Sequence, residues 1–163
     1  MKIRIFATGG TFDKEYDMIH GNLFFKNTHL QEILDVGRCT INIDIRTLMM
    51  IDSTNMTDAD RKVILENVKQ CDFDKIIITH GTDNMENTAR VLGPEIKNKT
   101  IILTGAMIPY AFGSSDGFFN IGTALGFVQT LPPGVFVVMN GQYFEWNNVK
   151  KNTTTGVFEK IKK

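Results

Sequence analysis

Cysteine is nearly missing from this chain. Only Cys39 and Cys71 are present, 32 positions apart and outside any CxxC or Cys/His cluster. That excludes a disulfide framework and a thiolate metal site, and leaves two free thiols expected to be buried as small hydrophobes. No metal and no cofactor is expected. Net charge is also missing, since 18 basic residues balance 18 acidic ones. The long-range phosphate attraction that drives nucleic-acid binding is therefore lacking, and no nucleic-acid partner is expected. No uninterrupted apolar run approaches the roughly 20 residues needed to span a bilayer, so no membrane association is expected. MKIRIFATGG runs directly into a strand-and-glycine pattern without the apolar region and cleavage site of a signal peptide. The expectation is a soluble, cytoplasmic protein, and the Asn-x-Ser/Thr triplets at Asn55, Asn98 and Asn152 are read as chance. Four prolines and no Pro/Ser run leave no linker, so the 163 residues are expected to form one domain, 1–163. The one basic run near a terminus, Lys160, Lys162 and Lys163, is read as a solvated end.

What is present is a regular alternation. Lys2 to Ala7 saturates with apolar residues and is stopped by Thr8-Gly9-Gly10, as a buried strand ending in a tight turn should be. Stretches rich in β-branched residues follow at Thr40 to Leu48, Lys75 to Thr79, Thr100 to Thr104 and Val135 to Met139. Helical patterns lie between them, at Thr28 to Val36, Thr57 to Gln70, Asn84 to Leu92 and Asp116 to Thr130. Thr57 with Asp60 forms an acidic variant of the capping box. Pro132-Pro133-Gly134 reads as a helix-to-strand turn. Strands separated by helices imply right-handed crossovers, so the expected fold class is α/β: a doubly wound, mainly parallel sheet with helices on both faces, flavodoxin- or Rossmann-like.

In such folds ligands bind beyond the carboxyl ends of the strands. Four ends here carry hydroxyls, amides or carboxylates: Thr8-Gly9-Gly10-Thr11, Ile51-Asp52-Ser53-Thr54-Asn55, Thr79-His80-Gly81-Thr82-Asp83 and Thr104-Gly105-Ala106-Met107. All four are expected to converge on one pocket. The first lacks the spacing of dinucleotide and phosphate loops. On local evidence it is either a glycine turn or a place where backbone N–H groups crowd a reacting centre beside the Thr11 hydroxyl. His80 suggests a general base, but a histidine at a strand exit is read as structural. Thr82 and Asp83 are placed at the start of the next helix, where they serve either as caps or as groups in an anion-favouring field.

Taken together, TGGTF at Thr8 to Phe12, DSTNM at Asp52 to Met56, ITHGTDNMENTA at Ile78 to Ala89, LTGAMIP at Leu103 to Pro109, SSDGFFN at Ser114 to Asn120, VVMNG at Val137 to Gly141 and VKKNTTT near the end resemble, in order, the signatures of the bacterial-type asparaginase and glutaminase family. The resemblance implies an amidohydrolase acting on L-asparagine, with slack toward L-glutamine. Thr11 matches the family's nucleophile, and Thr82 the second essential threonine, working with Lys151 and Asp83. Ser53 matches the residue gripping the substrate carboxylate, and Asp83 the one facing its ammonium. Gly10, Asp52, Thr54 and Ala106 complete the implied substrate-binding set, with backbone amides near Thr82 and Ala106 donating to the oxyanion. Asp52 is expected to shape its loop, Lys150 to face solvent, and Asp116 and Asn120 to act at a helix start and in packing.

Two departures from the family pattern stand out. Counting from Thr11, the mobile-loop tyrosine of the family falls on Phe24, and Tyr16 is the only tyrosine in that loop, which makes it the candidate substitute. Relatives also continue into a C-terminal domain, which is expected to be absent here, and a homodimer or larger assembly is expected to close the open side of the pocket. Two other readings stay open: a non-catalytic amino-acid-binding or sensing module, and the amidase component of a tRNA-dependent amidotransferase.

Overall fold

A computed structural model describes residues 1–161; Lys162 and Lys163 of the basic tail lie outside the described residues. In chain order the elements are β1 (Lys2–Gly9), β2 (Lys14–Asp17), β3 (Asn22–Phe25), α1 (Leu30–Val36), β4 (Asn42–Ile51), α2 (Asp58–Gln70), β5 (Lys75–Thr79), α3 (Met85–Leu92), β6 (Thr100–Thr104), α4 (Gly117–Thr130), β7 (Gly134–Met139), β8 (Gln142–Glu145), β9 (Lys150–Lys151) and β10 (Phe158–Glu159). Short 3-10 turns at Thr11–Asp13, Ser53–Asn55 and Tyr110–Phe112 follow β1, β4 and β6.

Six strands form the central sheet in the order β4-β1-β5-β6-β7-β8. The first five run parallel and β8 is antiparallel to β7. This is the α/β, doubly wound arrangement expected. The period-2 pleat sorts the strand residues into two cores. Ile3, Ile5 and Ala7 of β1, Ile77 of β5, Ile102 of β6 and Val138 of β7 face α1 and α4. Phe6, Ile76, Ile78, Ile101, Leu103 and Val137 face α2 and α3 on the other side. A sheet covered on both faces explains why the strands read as continuous apolar runs. Each fully buried isoleucine contributes about 1.5–3 kcal/mol relative to exposure.

Strand order reverses direction between β1 and β5, so the switch point lies between the loops carrying Thr11 and Thr82. The predicted capping box forms: the Thr57 hydroxyl accepts from the Asp60 N–H and the Asp60 carboxylate accepts from the Thr57 N–H. Helix α1 begins at Leu30 rather than Thr28, because the Thr28 hydroxyl and the His29 N–H both donate to Asp13 Oδ1, at 2.9 and 3.1 Å. Cys39 and Cys71 are free thiols, half-buried rather than buried. Among the described residues no helix is long and apolar enough to cross a membrane.

Beyond the predicted set lie the β9–β10 pair, the β2–β3 hairpin and β8. Residues 14–25 form the β2–β3 hairpin, closed by an Asx turn in which Asp17 Oδ1 accepts from the N–H groups of Ile19 and His20. β8 returns through Asn140-Gly141, both with positive φ, the backbone of a tight two-residue hairpin turn.

Candidate active site

Four strand-end loops are packed together through missing side chains. A Cβ on Gly10 would lie 2.4 Å from the Gly81 nitrogen and 2.5 Å from its Cα. One on Gly81 would lie 2.4 Å from Ser53 Oγ, and one on Gly105 2.2 Å from the His80 carbonyl oxygen. No side chain tolerates such distances, so glycine is what lets the loops after β1, β4, β5 and β6 touch. Gly10 also has φ 81 and ψ −179, a conformation that L-residues avoid. The Gly10–Gly81 contact places Thr11 and Thr82, each one residue further on, in adjoining loops. Thr11 is half-buried and its hydroxyl makes no intramolecular hydrogen bond among the described residues.

Thr82 and Asp83 do not cap the next helix. They lie in a turn before Asn84, which flanks α3, and their side chains turn instead to a lysine 69 and 68 positions away. Lys151 Nζ donates to Thr82 Oγ1 at 2.8 Å and to Asp83 Oδ1 at 2.6 Å. Thr82 Oγ1 in turn donates to Met107 Sδ at 3.4 Å. The lysine side chain is 10% exposed and the aspartate 57%, so the chain of groups runs from the interior to the mouth of the crevice. An amine held between a hydroxyl and a carboxylate can, when neutral, take the hydroxyl proton while the carboxylate fixes its position.

The small antiparallel pair β9–β10 delivers that lysine. Val149 and Phe158 plug it into the core. A run of amides connects it to the sheet: Asn120 Nδ2 donates to the Gly105 carbonyl, Asn140 N–H donates to Asn120 Oδ1, and Phe158 N–H donates to Asn140 Oδ1. Lys150 points outward, half-exposed, and pairs with Glu159 at 3.1 Å.

Around this centre the remaining candidates divide. Ser53 is buried and its hydroxyl has no hydrogen-bond partner among the described residues, which leaves it available to a ligand. Asn84 Nδ2 fixes the loop by donating to the Ser53 carbonyl at 2.9 Å. Asp52 accepts from the Thr54 N–H and hydroxyl and pairs with Lys14 of β2. Burial alone would raise the Asp52 pKa, but the Lys14 and Thr54 hydrogen bonds and the Lys14 charge outweigh it and hold the carboxyl below its ordinary value. Its oxygens thus serve the loop and the hairpin, as does the Thr54 hydroxyl. Ala106 is fully buried, and the Asp116 carboxylate accepts from the next two N–H groups, Met107 and Ile108.

His80 is fully buried. Its Nδ1 meets the Gly81 carbonyl at 2.8 Å and its Nε2 the Thr88 hydroxyl at 2.7 Å. Desolvation lowers its pKa to about 4, so the ring is neutral at neutral pH and braces the loop. Asp13, two residues past Thr11, moves the opposite way: burial raises its pKa to about 6 despite bonds from His29 and Thr28.

The hairpin register separates Tyr16 from Phe24. Tyr16 pairs with Leu23 and shares a face with Lys14, whose ammonium reaches Asp52. Phe24 pairs with Glu15 on the other face, where Glu15 lies 3.5 Å from His29 at the start of α1. Met107 was expected at the pocket as the end of the β6 loop but with no role of its own, and neither Lys14 nor Asn140 was singled out from the sequence. Only Asn140 carries a local signal, as the first half of an Asn-Gly turn.

Fold and site together define a flavodoxin-like α/β domain with a hydroxyl–amine–carboxylate chain at its switch point. The family model described as "Asparaginase, N-terminal" matches residues 2–161, and the chain belongs to the asparaginase family. It is 28% identical over 162 residues to an L-asparaginase of Thermococcus kodakarensis, covering 96% of this chain and 49% of that one. It is 34% identical over 169 residues to L-asparaginase 2 of Escherichia coli, covering 95% and 47%. The solved structure of the thermostable T. kodakarensis L-asparaginase superposes with a TM-score of 0.88 at 28% identity, over 100% of this chain and 52% of that chain. The chain thus spans about half the length of the curated relatives it matches. One Haemophilus influenzae relative, 34% identical over 95% of this chain and 47% of its own length, is described as periplasmic, so family membership does not fix a compartment.

Proposed function

We propose that this domain hydrolyses the side-chain amide of L-asparagine to L-aspartate and ammonia through a threonine acyl-enzyme. The observation that carries the reading is Lys151 Nζ, 2.8 Å from Thr82 Oγ1 and 2.6 Å from Asp83 Oδ1, in a loop whose glycine touches the loop of Thr11. In this reading the Thr11 hydroxyl attacks the amide carbonyl and its proton passes to the leaving nitrogen. Ammonia departs, and water then cleaves the ester with Thr82 and Lys151 relaying the proton. Ser53 holds the substrate carboxylate. Asp83, with Oδ1 on Lys151, offers Oδ2 to the substrate ammonium. Backbone N–H groups at Thr82 and Ala106 receive the developing oxyanion. The names of the relatives support asparagine as substrate, and L-glutamine, one methylene longer, is separated from it by only ~1–3 kcal/mol.

A binding module would need Ser53 and Asp83 but has no use for a lysine drawn onto a threonine hydroxyl. Ammonia release from L-asparagine, measured for the wild type, Thr11→Val and Thr82→Val, is the test. Each valine is nearly isosteric, so the melting temperature should hold while kcat falls by about two orders of magnitude or more. Full activity in Thr11→Val would remove the acyl-enzyme. The half-exposed Asp83 marks the open side of the crevice, which a second copy would close; sedimentation at micromolar concentration reads that out.

A further inference from the structure

The Thr82 hydroxyl has one proton and two neighbours. It donates to Met107 Sδ at 3.4 Å and accepts from Lys151 Nζ at 2.8 Å. To give its proton to the lysine, the hydroxyl must first rotate off the sulfur. A thioether is a weak acceptor, so that rotation costs little. From this geometry, and resting on the hydrolase reading above, we propose that Met107 is a peroxide-sensitive site: oxidised to the sulfoxide, it traps the Thr82 proton and stops turnover.

The side chain is held in place for this role. Asp116 fixes the backbone N–H of Met107 at 3.0 Å, and a Cβ on Gly156 would lie 3.1 Å from Met107 Cε, so the methyl end rests on the loop between β9 and β10. Thr82 is 4% exposed but Met107 is 40% exposed, which opens the thioether to a small oxidant. Met56, Met85 and Met139 are at most 6% exposed and shielded. Met18 is 87% exposed but lies in the turn between β2 and β3, and serves as an internal control.

The step balances with hydrogen peroxide as oxidant. One oxygen passes to sulfur, the O–O bond breaks, a sulfur–oxygen bond forms, and water leaves with both peroxide protons while sulfur gives up two electrons. The sulfoxide oxygen is a far stronger acceptor than the sulfur it replaces, and it stands beside the Thr82 hydroxyl. Methionine sulfoxide reductases reverse the step, forming water as a dithiol becomes a disulfide.

The experiment treats the folded protein with hydrogen peroxide, maps sulfoxides by peptide mass spectrometry over time, and follows ammonia release. The expected result is a fall in kcat of about 10-fold or more, with KM changing less, in step with Met107 oxidation. Paired reductases restore the rate. Met107→Leu keeps its own rate through the same treatment, and Met18→Leu loses activity as the wild type does. Sulfoxide at Met107 without loss, or equal loss in Met107→Leu, overturns the inference while leaving the hydrolase reading intact. However well Met107→Leu folds, the wild type decides the matter: its rate must fall and recover in step with the Met107 sulfoxide on the peptide map, and a rate that instead follows the Met18 sulfoxide overturns the inference. No ammonia release before peroxide overturns the hydrolase reading, and the switch with it.

Discussion

Adding one methyl group at Gly10 should separate the two threonine loops. In Gly10→Ala the new Cβ meets the Gly81 nitrogen at 2.4 Å, its Cα at 2.5 Å and the His80 carbonyl carbon at 2.9 Å, against ordinary contacts beginning at 3.4 Å. The loops after β1 and β5 must part by about 1 Å. A non-glycine residue at φ 81, ψ −179 costs ~1–3 kcal/mol and the overlap a similar ~1–3 kcal/mol, so the loss is about 2–6 kcal/mol. A displacement of about 1 Å at a reacting centre costs ~100-fold in rate. Gly113→Ala is the matched control: its φ is also 81, but nothing lies within 4 Å. It should lose only about 1–2 kcal/mol, with activity retained. Thermal melts and ammonia-release assays of both variants read the difference. If Gly10→Ala matches Gly113→Ala in both, the close approach of the loops does not organise the site.

Lys151→Met keeps the length of the side chain and removes the amine; kcat should fall at least ~100-fold with a near-native melt, and unchanged ammonia release would take Lys151 out of the proton path. The hairpin register predicts that Tyr16→Phe lowers kcat while Phe24→Tyr leaves it alone; steady-state kinetics giving the reverse would put Phe24 on the site face. Acid stability turns on two opposed groups. His80, neutral in the fold and titrating near 4 instead of 6.5, withdraws stability as pH falls from about 6.5 to 4, whereas Asp13, titrating near 6 instead of 3.8, returns stability over nearly the same window. Each is worth ~3 kcal/mol, so Asp13→Asn should lose stability below pH 6 more steeply than the wild type in urea titrations; parallel curves would show that Asp13 is ionised in the fold.

The sheet was legible because burial on both faces makes the inner parallel strands continuous apolar runs, as in Ile76-Ile77-Ile78 and Ile101-Ile102-Leu103. The β2–β3 hairpin was not, since its four-residue strands contain no fully buried residue and carry no apolar alternation. β8 had a usable mark, Asn140-Gly141, whose positive-φ pair only a tight hairpin requires. At the site, the glycines of TGGT, HGT and TGA advertise close backbone approach but not which backbone approaches. Thr82 and Asp83 looked like helix-start residues because their types suit that role, and only a lysine 68 and 69 positions downstream decides otherwise. Local spacing holds no trace of that pairing; the family resemblance alone pointed to it. The opposed shifts of Asp13 and His80 come from burial, which the motif letters do not encode.

Lys151 and the two threonines belong to parts of the molecule with different hold on the fold. Thr11 and Thr82 sit on loops clamped to central strands, whereas Lys151 rides on a pair of two-residue strands secured by Val149, Phe158, the bond from the Phe158 N–H to Asn140 and the bonds of its own ammonium to Thr82 and Asp83. Such a unit opens at a fraction of the free energy that unfolds the sheet. Warming or mild denaturant should therefore abolish turnover before the domain melts, with the amides of residues 150–159 exchanging with solvent well ahead of those in β1 and β5. The protein would then be folded yet idle, its resistance to heat as an enzyme set by ten residues at the rim rather than by the core.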